Sequence, residues 1–287
     1  MKLLTLNTHS LIEPDYEKKL KIFAEVIKKE QPEVFALQEV NQTLAMEEAN
    51  IESDTGYIPC SGYEGSIRKD NHAFCLASLL KEMDCPYQWT WISAKLGYGI
   101  YEEGLSLFSR RPIEKTEQFF ISKSHDFSNW KTRKMLAIQS EGIWFCSVHM
   151  GWWEDEEEPF KQHWDLAAKK IQQIAGPDGL VWVMGDFNSP AEVAGEGFDY
   201  VKSCGWQDSY ELAEEKDSGI TVGKVIDGWK DKLSHIPQTQ VPNSQKPAGM
   251  RIDYIWCNQK VKVLSSKVIC NGMFYPVVSD HYGIIVT

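Results

Sequence analysis

Asp186 and Asn188, a carboxylate and an amide, stand two residues apart directly after the apolar run Leu180-Val181-Trp182-Val183-Met184. Residues spaced by two project to one side of an extended chain. The carboxyl ends of strands are also where open α/β sheets carry their chemistry. Alone, an Asp-x-Asn after a strand is most often a turn or a helix cap. Here other polar groups stand in comparable places. Asn7 follows the strand-like residues 2–6, Glu39 ends a run that begins at Val34, and His149 follows residues 143–148. Asp253 is embedded in the strand-like residues 251–257, and Asp280-His281 lies just ahead of a last strand at 283–286. Carboxylates, amides and two histidines, without cysteine, suit a hard cation such as Mg²⁺ or Mn²⁺. Such a cation polarises a phosphoryl oxygen, and a histidine beside a carboxylate acts as a general base or a charged clamp.

The elements that must position these residues form a weak internal repeat. The spacing predicts a helix from about Tyr16 to Glu30, with Leu20, Phe23, Ala24 and Ile27 on one face, stopped by Pro32. It predicts a second helix from about Phe160 to Ala175, with Trp164, Ala167, Ala168, Ile171 and Ile174 at helical spacing, ended by Gly176-Pro177. Each helix lies between two strand-like runs, giving strand–helix–strand copies over residues 2–39 and 143–188 of one domain spanning 1–287. Each strand stops at a polar residue. Two β-sheets packed face to face with helices outside, a four-layer α/β sandwich, would gather those ends. Residues 71–81 read as helix, 104–109 and 134–139 as strands, and 187–250 as long surface loops of the kind that set specificity.

Composition bounds the partners. The chain has 287 residues, 43% hydrophobic and 25% charged, as expected of a globular protein. No apolar run approaches the roughly 20 residues that span a bilayer, and no signal peptide is read at the N-terminus. Seven cysteines without metal-type spacing read as reduced thiols of a cytoplasmic protein, with Cys146, Cys257 and Cys270 in apolar stretches. A net charge of −11 repels polyanions and disfavours extended duplex DNA as a partner. Phosphorylated small molecules remain open, because a bound cation reverses the local field.

Taken in order, Leu6-Asn7-Thr8-His9, Gln38-Glu39-Val40, Ser147-Val148-His149, Gly185-Asp186-Phe187-Asn188, Arg251-Ile252-Asp253-Tyr254 and Ser279-Asp280-His281 resemble the six blocks of the endonuclease/exonuclease/phosphatase superfamily. That superfamily has the DNase I-like fold, and the details look most like a bacterial, regulator-associated subgroup. The resemblance implies a Mg²⁺- or Mn²⁺-dependent phosphoesterase. It implies that Glu39 is the main metal ligand, with Asn7 and Asp280 beside it. Asp186 would orient or deprotonate the attacking water, and Asn188 would hold the phosphate or that water. His281, paired with Asp253, would stabilise the transition state. His149 matches the histidine of the DNase and sphingomyelinase branches, which contacts phosphate or protonates the leaving group, and it argues against the exonuclease III branch. Tyr101-Glu102-Glu103 stands where the family often puts a site tyrosine or glutamate, so Tyr101 is an implied substrate contact, and Arg133 is another as a bidentate phosphate donor.

Three functions follow as expectations. The first is a phosphodiesterase acting on a small or lipid-like phosphorylated substrate. The second is a nuclease using Arg110, Arg111, Lys131, Arg133 and Lys134. The third is an idle regulatory or binding protein on the same fold. His9 reads equally as a group behind the site or a plain strand end. His72, His125, His163 and His235 read as surface or helix-face residues, and Glu154-Asp155-Glu156-Glu157-Glu158 as a solvated loop or helix start. Trp152-Trp153 reads as core packing ahead of a substrate or membrane wall.

Overall fold

A computed structural model describes residues 1–51, 55–223 and 249–287 of the chain. His235 and residues 224–248 of the expected loops lie outside the described residues. The elements are β1 (Leu3–Asn7), α1 (Tyr16–Glu30), β2 (Val34–Thr43), α2 (His72–Glu82), β3 (Gln88–Gly97), β4 (Tyr101–Ser109) and β5 (Lys115–Phe120). They continue as β6 (Lys134–Ser140), β7 (Ile143–His149), α3 (Phe160–Ala175), β8 (Val181–Asp186), α4 (Gly197–Ser203), β9 (Gln207–Asp208) and α5 (Ser209–Leu212). The chain then adds β10 (Glu215–Lys216), β11 (Asp253–Cys257), β12 (Ser265–Ile269) and β13 (Gly283–Val286).

Two mixed sheets result, in the orders β10-β12-β13-β1-β2-β4-β3 and β5-β6-β7-β8-β11-β9. The strand–helix–strand units sit at their centres, with β1 parallel to β2 in one sheet and β7 parallel to β8 in the other. Their apolar runs are nearly unbroken because both faces of each sheet are covered. Alternate residues therefore serve different cores. Leu3, Ala36, Phe145, Met184 and Ile255 meet between the sheets. Leu4, Phe35 and Trp89 pack under α1 and α2 with Phe23, Ile27 and Leu76. Val148, Val183 and Trp256 pack under α3 with Trp164, Ala167 and Ile171. This is the expected four-layer arrangement, helix, sheet, sheet, helix.

Both major helices match their predicted spans. Gln31, left-handed at φ 49°, caps α1 ahead of Pro32, and Gly176, at φ 69°, ends α3. Several boundaries differ. β2 does not stop at Glu39 but passes through a β-bulge between Leu37 and Val40 and runs on to Thr43. Asp253 is the first residue of its strand rather than embedded within it. β4 begins at Tyr101, three residues before the expected strand. β3, β5 and β12 escaped the pattern reading. β3 is buried over Trp89–Ser93 without alternation, while β5 is a polar edge strand. The region after Asn188 is not only loop, since it holds α4 and α5. All seven cysteines are free, and Cys146, Cys257 and Cys270 are buried. No described helix is long and apolar enough to cross a membrane.

His72 and His163 lie on helix faces as expected, but on the buried side. His72 starts α2, 3.1 Å from the Tyr16 hydroxyl through Nδ1, and burial lowers its pKa to about 3. The folded chain thus keeps His72 neutral where the unfolded chain protonates it. Its contribution to stability is whole above about pH 6.5 and is lost as pH falls from there toward 3. On this basis denaturant melts of the natural chain and a His72→Gln variant should converge by roughly 2 kcal/mol between pH 7 and pH 5. Parallel pH curves for the two proteins would refute it.

Candidate active site

Strand direction gathers the polar residues. β1, β2, β7 and β8 run the same way within their pairs, so Asn7, the bulge at Glu39, His149 and Asp186 come to one edge of the sandwich. β11 is antiparallel to β8 and β13 to β1, so their amino ends arrive at the same edge. Asp253 stands opposite Asp186 in the register, and Asp280-His281 precedes β13. By the same logic the start of β4 delivers Glu103, the end of β3 delivers Lys95, and the start of β6 delivers Arg133.

The two-residue period then decides which way each side chain points. Trp182, Met184 and Asp186 share a face, as do Phe145, Ser147 and His149, and Asp253, Ile255 and Cys257. All face the space between the sheets, and their polar members line its open end. Parity alone would turn Glu39 outward with Leu37. The bulge corrects this. Gln38 takes the intersheet position and donates to Ser147 Oγ at 3.0 Å. Glu39, left-handed at φ 50°, swings into the cleft. Ser10 Oγ accepts from the Asn41 backbone N–H and donates to the Glu39 carbonyl, fixing the bulge.

The Gly185-Asp186-Phe187-Asn188 turn has a separate task for each residue. Gly185, at φ 148°, lies so close to the Val148 carbonyl that a Cβ would come within 2.0 Å of its oxygen. Phe187 packs into the core under α3. Asn188 is left-handed at φ 47°; its backbone N–H donates to Asp186 Oδ1 at 2.8 Å and its side-chain nitrogen to the Met150 carbonyl at 3.0 Å. Asn7 joins the two halves. Its Nδ2 donates to Glu39 Oε1 at 2.8 Å and to Asp186 Oδ2 at 3.0 Å. Asp253 Oδ2 stands 3.0 Å from His281 Nδ1, and His281 Nε2 stands 3.8 Å from Asp186 Oδ2. His149 lies between two carboxylates, 3.6 Å from Asp186 and 3.7 Å from Glu103.

Electrostatics separate the two histidines. Burial opposes the charged form of His281, but Asp253, Asp186 and Asp280 outweigh it and hold its pKa well above the usual value. Burial lowers the pKa of His149, and the positive Arg133, Lys95 and His281 lower it further, so His149 is neutral. Burial raises Asp186 to about 6 despite the charge of His281. Burial also raises Glu39 to about 7, helped by repulsion from Glu103 and Asp280. Burial disfavours the charge of His9, yet Glu13, Asp280 and Glu39 bring its pKa to about 9.

The cleft has a volume of about 260 Å³. Its wall includes Glu39, His149, Asp186, Asn188, Asp280, His281 and Arg133, while Asn7 and Asp253 support it from behind. Tyr101 lies in β4 and is not among the lining residues; Tyr98, in the preceding turn, is. Of Arg110, Arg111, Lys131, Arg133 and Lys134, only Arg133 lines the cleft. Lys131 pairs with Asp155 and Glu157, and Arg111 with Glu141. The acidic run is not simply solvated, because buried Glu158 accepts from the backbone N–H groups of Lys123 and Ser124. Trp152 lines the cleft, whereas Trp153 packs against the core under α3. Sequence reasoning missed Lys95, Trp130 and Tyr98. Lys95 Nζ lies 3.1 Å from Glu103 Oε1, and both are buried. Of Tyr101-Glu102-Glu103, it is the glutamate Glu103 that lines the cleft; Lys95 had no signal until β3 is paired with β4.

The donor set fits a divalent cation. Ligand atoms of Glu39, His149 and Asp186 lie within 4.8 Å of one another, Asp280 forms a second such group with His9 and Glu13, and the repulsion of Glu39 by Glu103 and Asp280 is what a cation would relieve.

Comparison with known proteins places the fold. A profile of the endonuclease/exonuclease/phosphatase family matches residues 4–281. The solved structure of an endonuclease/exonuclease/phosphatase family protein from Leptotrichia buccalis C-1013-b is 31% identical with a TM-score of 0.80, the match covering 100% of this chain and 98% of that one. The mannosyl-6-phosphatase Bt3783 of Bacteroides thetaiotaomicron VPI-5482 is 14% identical with a TM-score of 0.63, over 100% of this chain and 98% of that one. Truncated Caenorhabditis elegans TDP2 is 16% identical with a TM-score of 0.57, over 99% and 95%. The last two share the fold. No match is found among curated proteins.

Proposed function

The chain belongs to the endonuclease/exonuclease/phosphatase family, and from that membership we propose that it hydrolyses phosphoester bonds with Mg²⁺ or Mn²⁺, as a phosphodiesterase on a small or lipid-like substrate. The observation that carries this reading is the Asn7 amide, which ties Glu39 of one strand–helix–strand unit to Asp186 of the other at the mouth of one cleft. Glu39 and Asp280, with Asn7 beside them, would hold the cation, which when bound supplies Lewis acidity at a phosphoryl oxygen.

The remaining work belongs to side chains. Asp186 accepts a proton from water as that oxygen bonds to phosphorus, and a pKa of about 6 suits a base working near neutrality. Asn188 steadies the water or the phosphate. His281, charged against Asp253, and Arg133 face the charge that develops on the phosphoryl oxygens. The bond to the leaving oxygen breaks, and that oxygen departs as an alcohol after taking a proton from solvent. His149, being neutral, donates an N–H to phosphate rather than serving as the leaving group's acid. Small or lipid-like substrates are supported by the aromatic wall of Tyr98, Trp130 and Trp152 and by the net charge of −11. A nuclease would need a basic strip, and four of its five candidate residues lie off the cleft.

The test is turnover by the full chain with Mg²⁺ or Mn²⁺ over bis-p-nitrophenyl phosphate, DNA, RNA, nucleotides, sphingomyelin-type lipids and inositol phosphates. Cation-dependent cleavage of the generic diester and of a lipid or small diester is expected. Cleavage confined to nucleic acid would replace the substrate class. Absence of turnover on every substrate would leave the idle binding protein.

A further inference from the structure

Among the described residues, eleven large apolar side chains are exposed, and six of them, Leu44, Met46, Tyr98, Ile100, Phe127 and Trp130, lie in three segments around the cleft mouth. The segments are stitched by backbone. The Leu44 N–H donates to the Ile100 carbonyl at 2.9 Å, and the Leu96 N–H donates to the Phe127 carbonyl at 2.7 Å. Tyr98 and Trp130 belong to the rim and also line the cleft, so rim and site share these two side chains. The tip is a tight turn, Tyr98-Gly99-Ile100, with Tyr98 at φ 49° and Gly99 at φ 74°, which lifts two apolar side chains outward between β3 and β4. Exposed apolar residues gathered at one site mark an interaction surface.

The charges nearby choose the occupant. Among the described residues, the cations beside these segments are paired with carboxylates, Lys69 with Glu47, Arg68 with Glu102, and Lys131, over the Trp130 ring, with Asp155 and Glu157. The net charge of −11 repels anionic lipids and nucleic acid alike. We propose that this rim docks the chain onto a zwitterionic phospholipid surface, with the cleft mouth facing the headgroups. The proposal rests on the phosphoesterase reading and narrows it. A headgroup phosphate would enter past Trp130 and Tyr98, while Ile100, Phe127, Leu44 and Met46 meet the apolar boundary.

The test is flotation of the full chain with phosphatidylcholine vesicles at low and high salt, beside an Ile100→Ser/Phe127→Ser variant. The natural chain should float at both salt concentrations, and the variant's partition coefficient should fall at least tenfold. Bis-p-nitrophenyl phosphate turnover, measured in parallel, should stay within twofold, since neither residue lines the cleft. A chain that stays in the aqueous fraction, or a variant that floats as well as the natural protein, would overturn the proposal. So would flotation only with phosphatidylserine vesicles, or light scattering showing a dimer that the variant dissolves. Flotation of the natural chain without turnover of any phosphoester tested would instead remove the phosphoesterase reading.

Discussion

Replacing Glu39 with alanine should lower the proposed divalent-cation-dependent turnover by roughly a thousandfold, within the range seen when one electrostatic stabiliser of a transition state is removed, and should leave the fold intact. The side chain is not part of any core. It projects from a bulge, and its carboxylate is repelled by Glu103 and Asp280. Removing it relieves that repulsion, so the melting temperature without metal stays level or rises, as expected where function and stability compete. The cation supplies a second readout. At about a hundred times its dissociation constant, Mn²⁺ should stabilise the natural chain by about 2.7 kcal/mol, and it should not stabilise Glu39→Ala. A variant that kept both its turnover and its Mn²⁺-dependent shift in melting would show that the cation sits elsewhere.

Glu39 also shows how far the sequence could be read. The fold was legible because burial on both sheet faces writes long apolar runs, and because α1 and α3 have helical spacing with explicit stops at Gln31-Pro32 and Gly176-Pro177. Most of the candidate site was legible because its residues sit at strand ends, where an apolar run changes to polar. Glu39 fits that pattern only by accident, since its strand continues. What aims it is a bulge with a left-handed non-glycine residue, a conformation set by tertiary contacts such as the Ser10 hydroxyl and not by any local preference.

The same limit explains Lys95. It lies at an irregularity in β3, and its meaning comes from Glu103 on the neighbouring strand. A buried ion pair costs desolvation that its own attraction often fails to recover, so its place in the cleft wall is better explained by the site than by stability. Neither β3 nor its irregularity has a signature in the chain, because a strand covered on both faces does not alternate. The rim was hidden for a different reason. Leu44, Ile100 and Phe127 are scattered through the sequence and become neighbours only when three loops are brought together by backbone hydrogen bonds. The one aromatic pair that stood out, Trp152-Trp153, is divided between cleft and core.

Replacing Asp253 with asparagine tests the other half of the site, and turnover should fall by roughly 10³- to 10⁴-fold, the scale of losing a buried carboxylate that orients a catalytic histidine. The substitution keeps the shape of a side chain that is fully buried at the start of β11. It removes the negative charge 3.0 Å from His281 Nδ1 and can place an amide N–H there instead. His281 then loses the largest of the opposing charges that hold it protonated against burial. On the proposed mechanism the loss should fall on kcat, because the imidazolium would act where charge develops while Arg133 and Asn188 would still meet the substrate. Stability gives an independent sign. In the natural chain the pKa of His281 is raised, so its contribution is fully present below about pH 6.5 and is lost as pH rises through the folded value. In the variant His281 is a buried neutral imidazole, and its contribution is instead lost as pH falls below about 6.5. Melts from pH 5 to 8 should therefore show the variant weakening relative to the natural chain on the acid side. An active Asp253→Asn protein, or one whose melting profile runs parallel to that of the natural chain, would mean that His281 does not depend on Asp253 for its charge.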